Sequence, residues 1–201
     1  MLDAHLRPLI DRPLNMAGRW LAKAGIGADE ITLAGFVAGM TGAAAILLGQ
    51  FTAALVLILA GRVLDGLDGA VARATRLSDR GGFLDITLDF IFYGAVPLAF
   101  AAYDPWRNAL PAACLIASFY ANGAAFLAYG IMQAKRGVTA TTQGVKSLHY
   151  MVGLTEGAET IALFVLICLF PDAFPILAFL FAALCFLSAA ARILIGWRTL
   201  G

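Results

Sequence analysis

The sequence predicts an all-α integral membrane protein: six transmembrane helices preceded by an N-terminal amphipathic helix in the cytoplasmic interface. Three observations carry this expectation. Of the 201 residues, 61% are hydrophobic and only 13% charged, whereas soluble domains are about half apolar and a quarter charged. The apolar residues gather into six runs, roughly 31–49, 54–76, 81–103, 109–133, 150–170 and 174–196, each near the roughly 20 residues that a helix needs to cross hydrocarbon. The connections between them are short. Lipid offers no partner to a free backbone N–H or C=O, so runs of this kind are helices. Residues 1–201 therefore form one membrane domain, with 1–24 as the interfacial helix and 31–196 as the bundle. No linker or low-complexity tract divides it, and a net charge of +1 gives no reason to expect nucleic acid as a partner.

Taken in order, residues 2–21 place Leu2, Leu6, Leu9, Ile10, Leu14, Ala17 and Leu21 close to helical spacing, with Arg7, Arg12 and Arg19 off that stripe. Such a helix lies in the membrane interface, with a kink expected at Pro13. Its interspersed charges are not the pattern of a signal peptide. The first span contains Gly35 and Gly39, a G-x-x-x-G that permits close helix contact, either within the chain or between two copies. Cys114, Cys168 and Cys185 all fall inside apolar runs and are read as buried packing thiols.

Basic residues orient the bundle. Arg7, Arg12, Arg19 and Lys23 precede the first span, Arg73, Arg76 and Arg80 join the second to the third, Lys135, Arg136 and Lys146 lie between the fourth and fifth, and Arg198 follows the sixth. The opposite side offers only Arg107. The positive-inside rule then places both termini in the cytoplasm of a multi-pass protein of the cell membrane.

Against this apolar background, spans two and three carry Asp65, Asp68, Asp85 and Asp89. A single Asp near a span centre costs roughly 2.5–3.5 kcal/mol, so four need compensation. Asp65 and Asp68 are three apart and Asp85 and Asp89 four apart, so each pair shares one helix face. Two antiparallel neighbours can aim all four carboxylates into one cavity, where they repel unless cations sit between them. All-oxygen ligation suits Mg²⁺ or Mn²⁺, and no His or Cys accompanies the acids as zinc would require. Gly66, Gly69, Gly81 and Gly82 keep side chains out of the neighbourhood, and Arg73 lies on the face of Asp65 and Asp68 where it can grip a phosphate. Arg62, three residues before Asp65, is placed to pair with it.

The run Asp65-Gly66-Leu67-Asp68-Gly69-Ala70-Val71-Ala72-Arg73, seven residues, Gly81, three residues, Asp85, three residues, Asp89 resembles the motif of the CDP-alcohol phosphotransferases, D-x-x-D-G-x-x-A-R-x(7 or 8)-G-x-x-x-D-x-x-x-D, at every fixed position. The segment Gly27-Ala28-Asp29-Glu30-Ile31-Thr32 is similar to that family's T-P-N-x-x-T entry to the first span, with Ala28 and Asp29 in place of Pro and Asn. The resemblance implies the bacterial type: metal-dependent transfer of a phosphatidyl-type group from a CDP-activated lipid, CDP-diacylglycerol, to a small alcohol, with release of CMP. It implies that two divalent ions, Mg²⁺ or Mn²⁺, are held by Asp65, Asp68, Asp85 and Asp89. Asp89 would also be the general base, and Gly69, Ala72, Arg73 and Gly81 would line the CDP site. It further implies a homodimer in membrane lipid.

Beyond the motif, Glu156 and Glu159 in the fifth span share a face, Lys146 flanks it with Lys135, Arg136 and His149, and Arg192 interrupts the sixth. Glu156, Glu159, Lys146 and Arg192 are the candidate acceptor contacts. The basic set suits a phosphorylated polyol and the acidic set suits serine or an amino alcohol, so the acceptor stays open. Intramembrane acids also mark ion pathways, so a divalent-cation transporter is one alternative. The clustering of the acids at one end speaks against it. The other alternative, a UbiA-like prenyltransferase, lacks the D-G-x-x-A-R string.

Overall fold

The computed structural model of the chain describes residues 2–137 and 157–200, with side chains from Arg12 onward. These residues form seven helices and no strand: α1 (Leu2–Lys23), α2 (Ala28–Leu47), α3 (Phe51–Ala74), α4 (Asp79–Tyr103), α5 (Pro105–Lys135), α6 (Gly157–Leu169) and, after a 3₁₀ turn at Pro171–Ala173, α7 (Phe174–Leu200). Four are long and apolar enough to cross a membrane: α2, α4, α5 and the stretch Pro171–Leu200. The 24 residues of α3 also have the length, but they carry Arg62, Asp65, Asp68 and Arg73. The 13 described residues of α6 cover only part of the expected fifth span. Helix α1 is one continuous element through Pro13.

Local chemistry explains the helix starts. Ser78 accepts the Gly81 N–H at 3.0 Å before α4, and Asp104 accepts the Arg107 N–H at 3.2 Å before α5, where Pro105 fits the first turn. The Glu30 carboxylate turns back to the Gly27 N–H at 3.2 Å, the acidic half of a capping box. All three occupy the short connections that the apolar runs left between them.

The bundle is organised around α2. Both α3 and α4 pack on it, α5 joins α4 to α7, and α1 lies across α3. The crossings of α2 with α3 and with α4 depend on absent side chains. A Cβ on Gly61 would come 2.9 Å from the Gly35 carbonyl oxygen, and one on Gly39 would come 2.9 Å from the Phe92 ring. Gly35 and Gly39 thus serve packing within the chain. Gly61→Val is expected to destabilise the bundle by about 1–3 kcal/mol, the usual cost of overpacking; an unchanged melting temperature in detergent would show the crossing has slack. The core beyond the crossing is aromatic. Phe100 and Phe174 stack at 4.4 Å, and Phe92 meets Phe164 edge-on at 5.7 Å. Leu163 and Phe164 of α6 are buried in the same cluster, so this helix is anchored where it flanks the site. Cys168 and Cys185 are buried and Cys114 is half-buried.

Candidate active site

Because α3 and α4 both lean on α2, their facing turns enclose a space near the C-terminal end of α3 and the N-terminal end of α4. Asp65 and Asp68 enter it from α3 and Asp85 from α4, and one carboxylate oxygen from each lies within 4.8 Å of the other two. Asp68 is the deepest, 6% exposed, and the Thr32 hydroxyl of α2 donates to its Oδ2 at 2.5 Å. Sequence spacing alone gives Thr32 no such role. It stands 36 residues from Asp68, and only the α2–α3 crossing joins them.

This trio fits a hard cation. About 2.1 Å from each ligand, such an ion would hold neighbouring octahedral oxygens about 3 Å apart, so the trio, its oxygens now within 4.8 Å of one another, would draw in around it. All ligands are oxygen, as Mg²⁺ and Mn²⁺ prefer. Asp89 stands outside that trio. Its Oδ1 accepts from the Arg62 guanidinium at 2.7 Å, while the same nitrogen lies 3.5 Å from Asp65. Arg62 therefore pairs with Asp65, as its spacing implies, but its shorter contact is across the site.

The residues expected at a CDP site gather at the same end. Gly69 leaves room for Arg73, since a Cβ there would come 3.2 Å from the Arg73 Nη1. Arg73 donates to Asn15 Oδ1 of α1 at 3.1 Å. Ala72 is half-buried. A Cβ on Gly81 would meet Ser78 Oγ at 3.1 Å and Asp29 Oδ1 at 3.2 Å, and Asp29 is held by Arg80 in an ion pair. Helix α1 closes this end, with Leu14 against Gly66 and Gly18 against Ala70 and Val71. The α1 contribution, Asn15 beside Arg12 and Arg19, left no signal in the motif.

A cavity of about 640 Å³ opens from Asp89 between α4, α5, α6 and α7. Tyr93, Asn122, Thr160 and Arg192 give it polar points on a largely aromatic wall. Arg192 is 8% exposed, with Nη1 3.5 Å from the Asn122 carbonyl oxygen and the guanidinium 5.1 Å over Phe126. It is turned into the bundle. Glu159 lies half-buried on α6, next to Thr160. Glu156 and Lys146 lie outside the described residues.

A carboxylate trio, a fourth acid at the edge of a cavity and an Arg–Gly phosphate corner are the parts of a phosphoryl-transfer site, and the sequence places them in one recognisable pattern. The model of the CDP-alcohol phosphatidyltransferase family matches residues 26–195. The chain belongs to this family. It is a membrane-bound phosphotransferase. The chain is 47% identical, over 100% of its length and 97% of the relative's, to the inner membrane protein YnjF of Escherichia coli (strain K12). It is 38% identical over 87 residues, 43% of this chain and 46% of the relative, to an archaetidylinositol phosphate synthase of Pyrococcus horikoshii. The fold is similar to that of Mycobacterium tuberculosis phosphatidylinositol phosphate synthase (PgsA1), solved with CDP-DAG bound. There the TM-score is 0.67 at 21% identity, over 92% of this chain and 94% of that one. A second structure of that synthase, in complex with manganese and citrate, gives a TM-score of 0.64 at 20% identity over 92% and 88%. At these identities the two structures establish the fold alone.

Proposed function

We propose that this chain transfers a phosphatidyl group from CDP-diacylglycerol to a small alcohol bearing an anionic group, a phosphorylated polyol, and releases CMP. The observation that carries this reading is the position of Asp89: Arg62 joins it to Asp65 of the carboxylate trio, and it lines the cavity that Arg192 also lines. The donor belongs on the trio side, and the acceptor fits the cavity. The CDP-DAG bound to the structural neighbour and the archaetidylinositol phosphate named for the Pyrococcus horikoshii relative support both choices. The whole chain acts as one domain. We place six spans across the membrane, with both termini and the site at the cytoplasmic face, where a water-soluble acceptor and a lipid donor can meet.

The residues divide the work as follows. Asp65, Asp68, Asp85 and Asp89 hold two divalent cations, with Thr32 fixing the deepest carboxylate. Bound there, the ions supply charge neutralisation for the pyrophosphate and its leaving group. Arg73, with the space left by Gly69, Ala72 and Gly81, grips the CDP phosphates. Arg192 anchors the acceptor's anionic group so that its hydroxyl reaches Asp89. Asp89 accepts the hydroxyl proton, the oxygen bonds to the lipid-bearing phosphorus, and the bond from that phosphorus to the bridging oxygen breaks as CMP leaves. Glu156 and Glu159 assist by orienting the acceptor's remaining hydroxyls.

The test is CMP release from CDP-diacylglycerol by the purified chain with Mg²⁺ or Mn²⁺, across inositol phosphate, glycerol 3-phosphate, inositol, serine and choline. The expected result is release with a phosphorylated polyol; release with serine or choline alone would overturn the acceptor class. Arg192→Leu is then expected to raise the KM for the acceptor about thirtyfold, equivalent to about 2 kcal/mol, the lower end for unpairing a buried charge. A KM unmoved by that change would take Arg192 out of the acceptor site.

A further inference from the structure

We infer that Arg62 is a positioning residue that sets the aim of Asp89; the inference rests on the function proposed above. Arg62 lies one turn before Asp65 on α3, yet its Nη1 is closer to Asp89 Oδ1 on α4, 2.7 Å, than to Asp65 Oδ1, 3.5 Å. Its side chain is only 14% exposed. A buried guanidinium has to be paired, and Asp65 on its own helix would suffice for that alone. The shorter bond crosses instead to the carboxylate that faces the cavity.

The guanidinium is itself fixed. It lies 4.7 Å from the Phe92 ring centroid and 6.0 Å from that of Tyr93. Phe92 is 1% exposed, pinned between Gly39 of α2 and Phe164 of α6. Phe92 also follows Asp89 by three residues, so the ring that carries the guanidinium and the carboxylate that receives it project from one face of α4. An aspartate alone on a helix rotates about two torsions. Here the cation is set by the aromatic core and the carboxylate follows it. Oδ1 is engaged by Arg62, which leaves Oδ2 for the cation and the acceptor's hydroxyl. Lysine would supply charge but neither the planar fork nor the stacking face.

The experiment uses the full-length chain in detergent, with Arg62→Ala, Arg62→Lys, Asp89→Asn and the double variant Arg62→Ala/Asp89→Asn. A misaimed reacting group costs about 100-fold. Arg62→Ala is therefore expected to lose about that factor in kcat, with the KM for CDP-diacylglycerol little changed and Mn²⁺ binding, read by electron paramagnetic resonance, retained. Millimolar guanidinium should restore part of the lost kcat, and Arg62→Lys should fall between. An undiminished kcat in Arg62→Ala would overturn the inference, and so would joint loss of kcat and Mn²⁺ binding, which would make Arg62 a general support of the site. The melting temperatures of the four variants without substrate give a readout that needs no turnover. If Arg62 and Asp89 act as a pair, the double variant melts no lower than the worse single one; additive shifts would overturn the pairing. A wild-type chain that releases no CMP would defeat the proposed function, and that thermal cycle would still decide whether Arg62 holds Asp89.

Discussion

Asp89→Asn is expected to lower kcat for CMP release by about 10²–10⁴-fold, the span usually lost with a general base, with the Asp65–Asp68–Asp85 cation site left intact. Asparagine keeps the shape and volume of the side chain, so the cavity beyond it is undisturbed. What it removes is the acceptor for the hydroxyl proton and the charge that faces Arg62 at 2.7 Å. Asp89 lies outside the trio whose oxygens fall within 4.8 Å of one another, so Mn²⁺ binding to that trio should persist while turnover falls. Simultaneous loss of ion binding would show instead that Asp89 is chiefly a ligand. Full retention of turnover would remove it from proton transfer.

The separation between these two roles was beyond what spacing could supply. Intervals of three and four residues place Asp65 with Asp68 and Asp85 with Asp89; Asp65, Asp68 and Asp85 do come together, and Asp89 stands outside them. The intervals say nothing of how far α3 stands from α4. Because both helices lean on α2, the gap between them depends on Gly35, Gly39 and Gly61. The G-x-x-x-G in the first span fitted a dimer face as readily as this internal crossing. Arg62 shows the same limit. Its distance in sequence gives Asp65 as partner, whereas the fold supplies a closer one on the next helix. Thr32 belongs to the family-like entry segment, but its bond to Asp68 follows only from the crossing. The helices themselves were legible because lipid leaves few alternatives to a long apolar run. The acids were legible for the complementary reason, that one arginine and one hydroxyl do not repay four carboxylates there. Asn15 and the other α1 contacts were not, because a loosely periodic surface helix fits many neighbours.

Wild type and Asp68→Asn should exchange their order of stability between metal-free and metal-loaded conditions. Asp68 is the most buried of the trio, and three carboxylates with oxygens within 4.8 Å repel one another when no cation lies between them. Without metal, the neutral amide relieves that repulsion and avoids burying a charge, while its carbonyl oxygen can still accept the Thr32 hydroxyl bond. The variant should then melt above the wild type in chelator. In Mn²⁺ the order inverts. An ion that binds only the folded wild type stabilises it by about 2.7 kcal/mol at a hundredfold excess over Kd, and the variant, short of one anionic ligand, forfeits most of that gain along with CMP release. Melting curves of both proteins in chelator and in saturating Mn²⁺ check the sign directly. A variant less stable than wild type in both conditions would mean that Asp68 serves mainly to hold α2 against α3 through Thr32. A variant that gains as much as wild type from Mn²⁺ would mean the cation sits elsewhere. The crossing of the two curves is specific to a site whose charges are tolerated in the fold because an ion joins them.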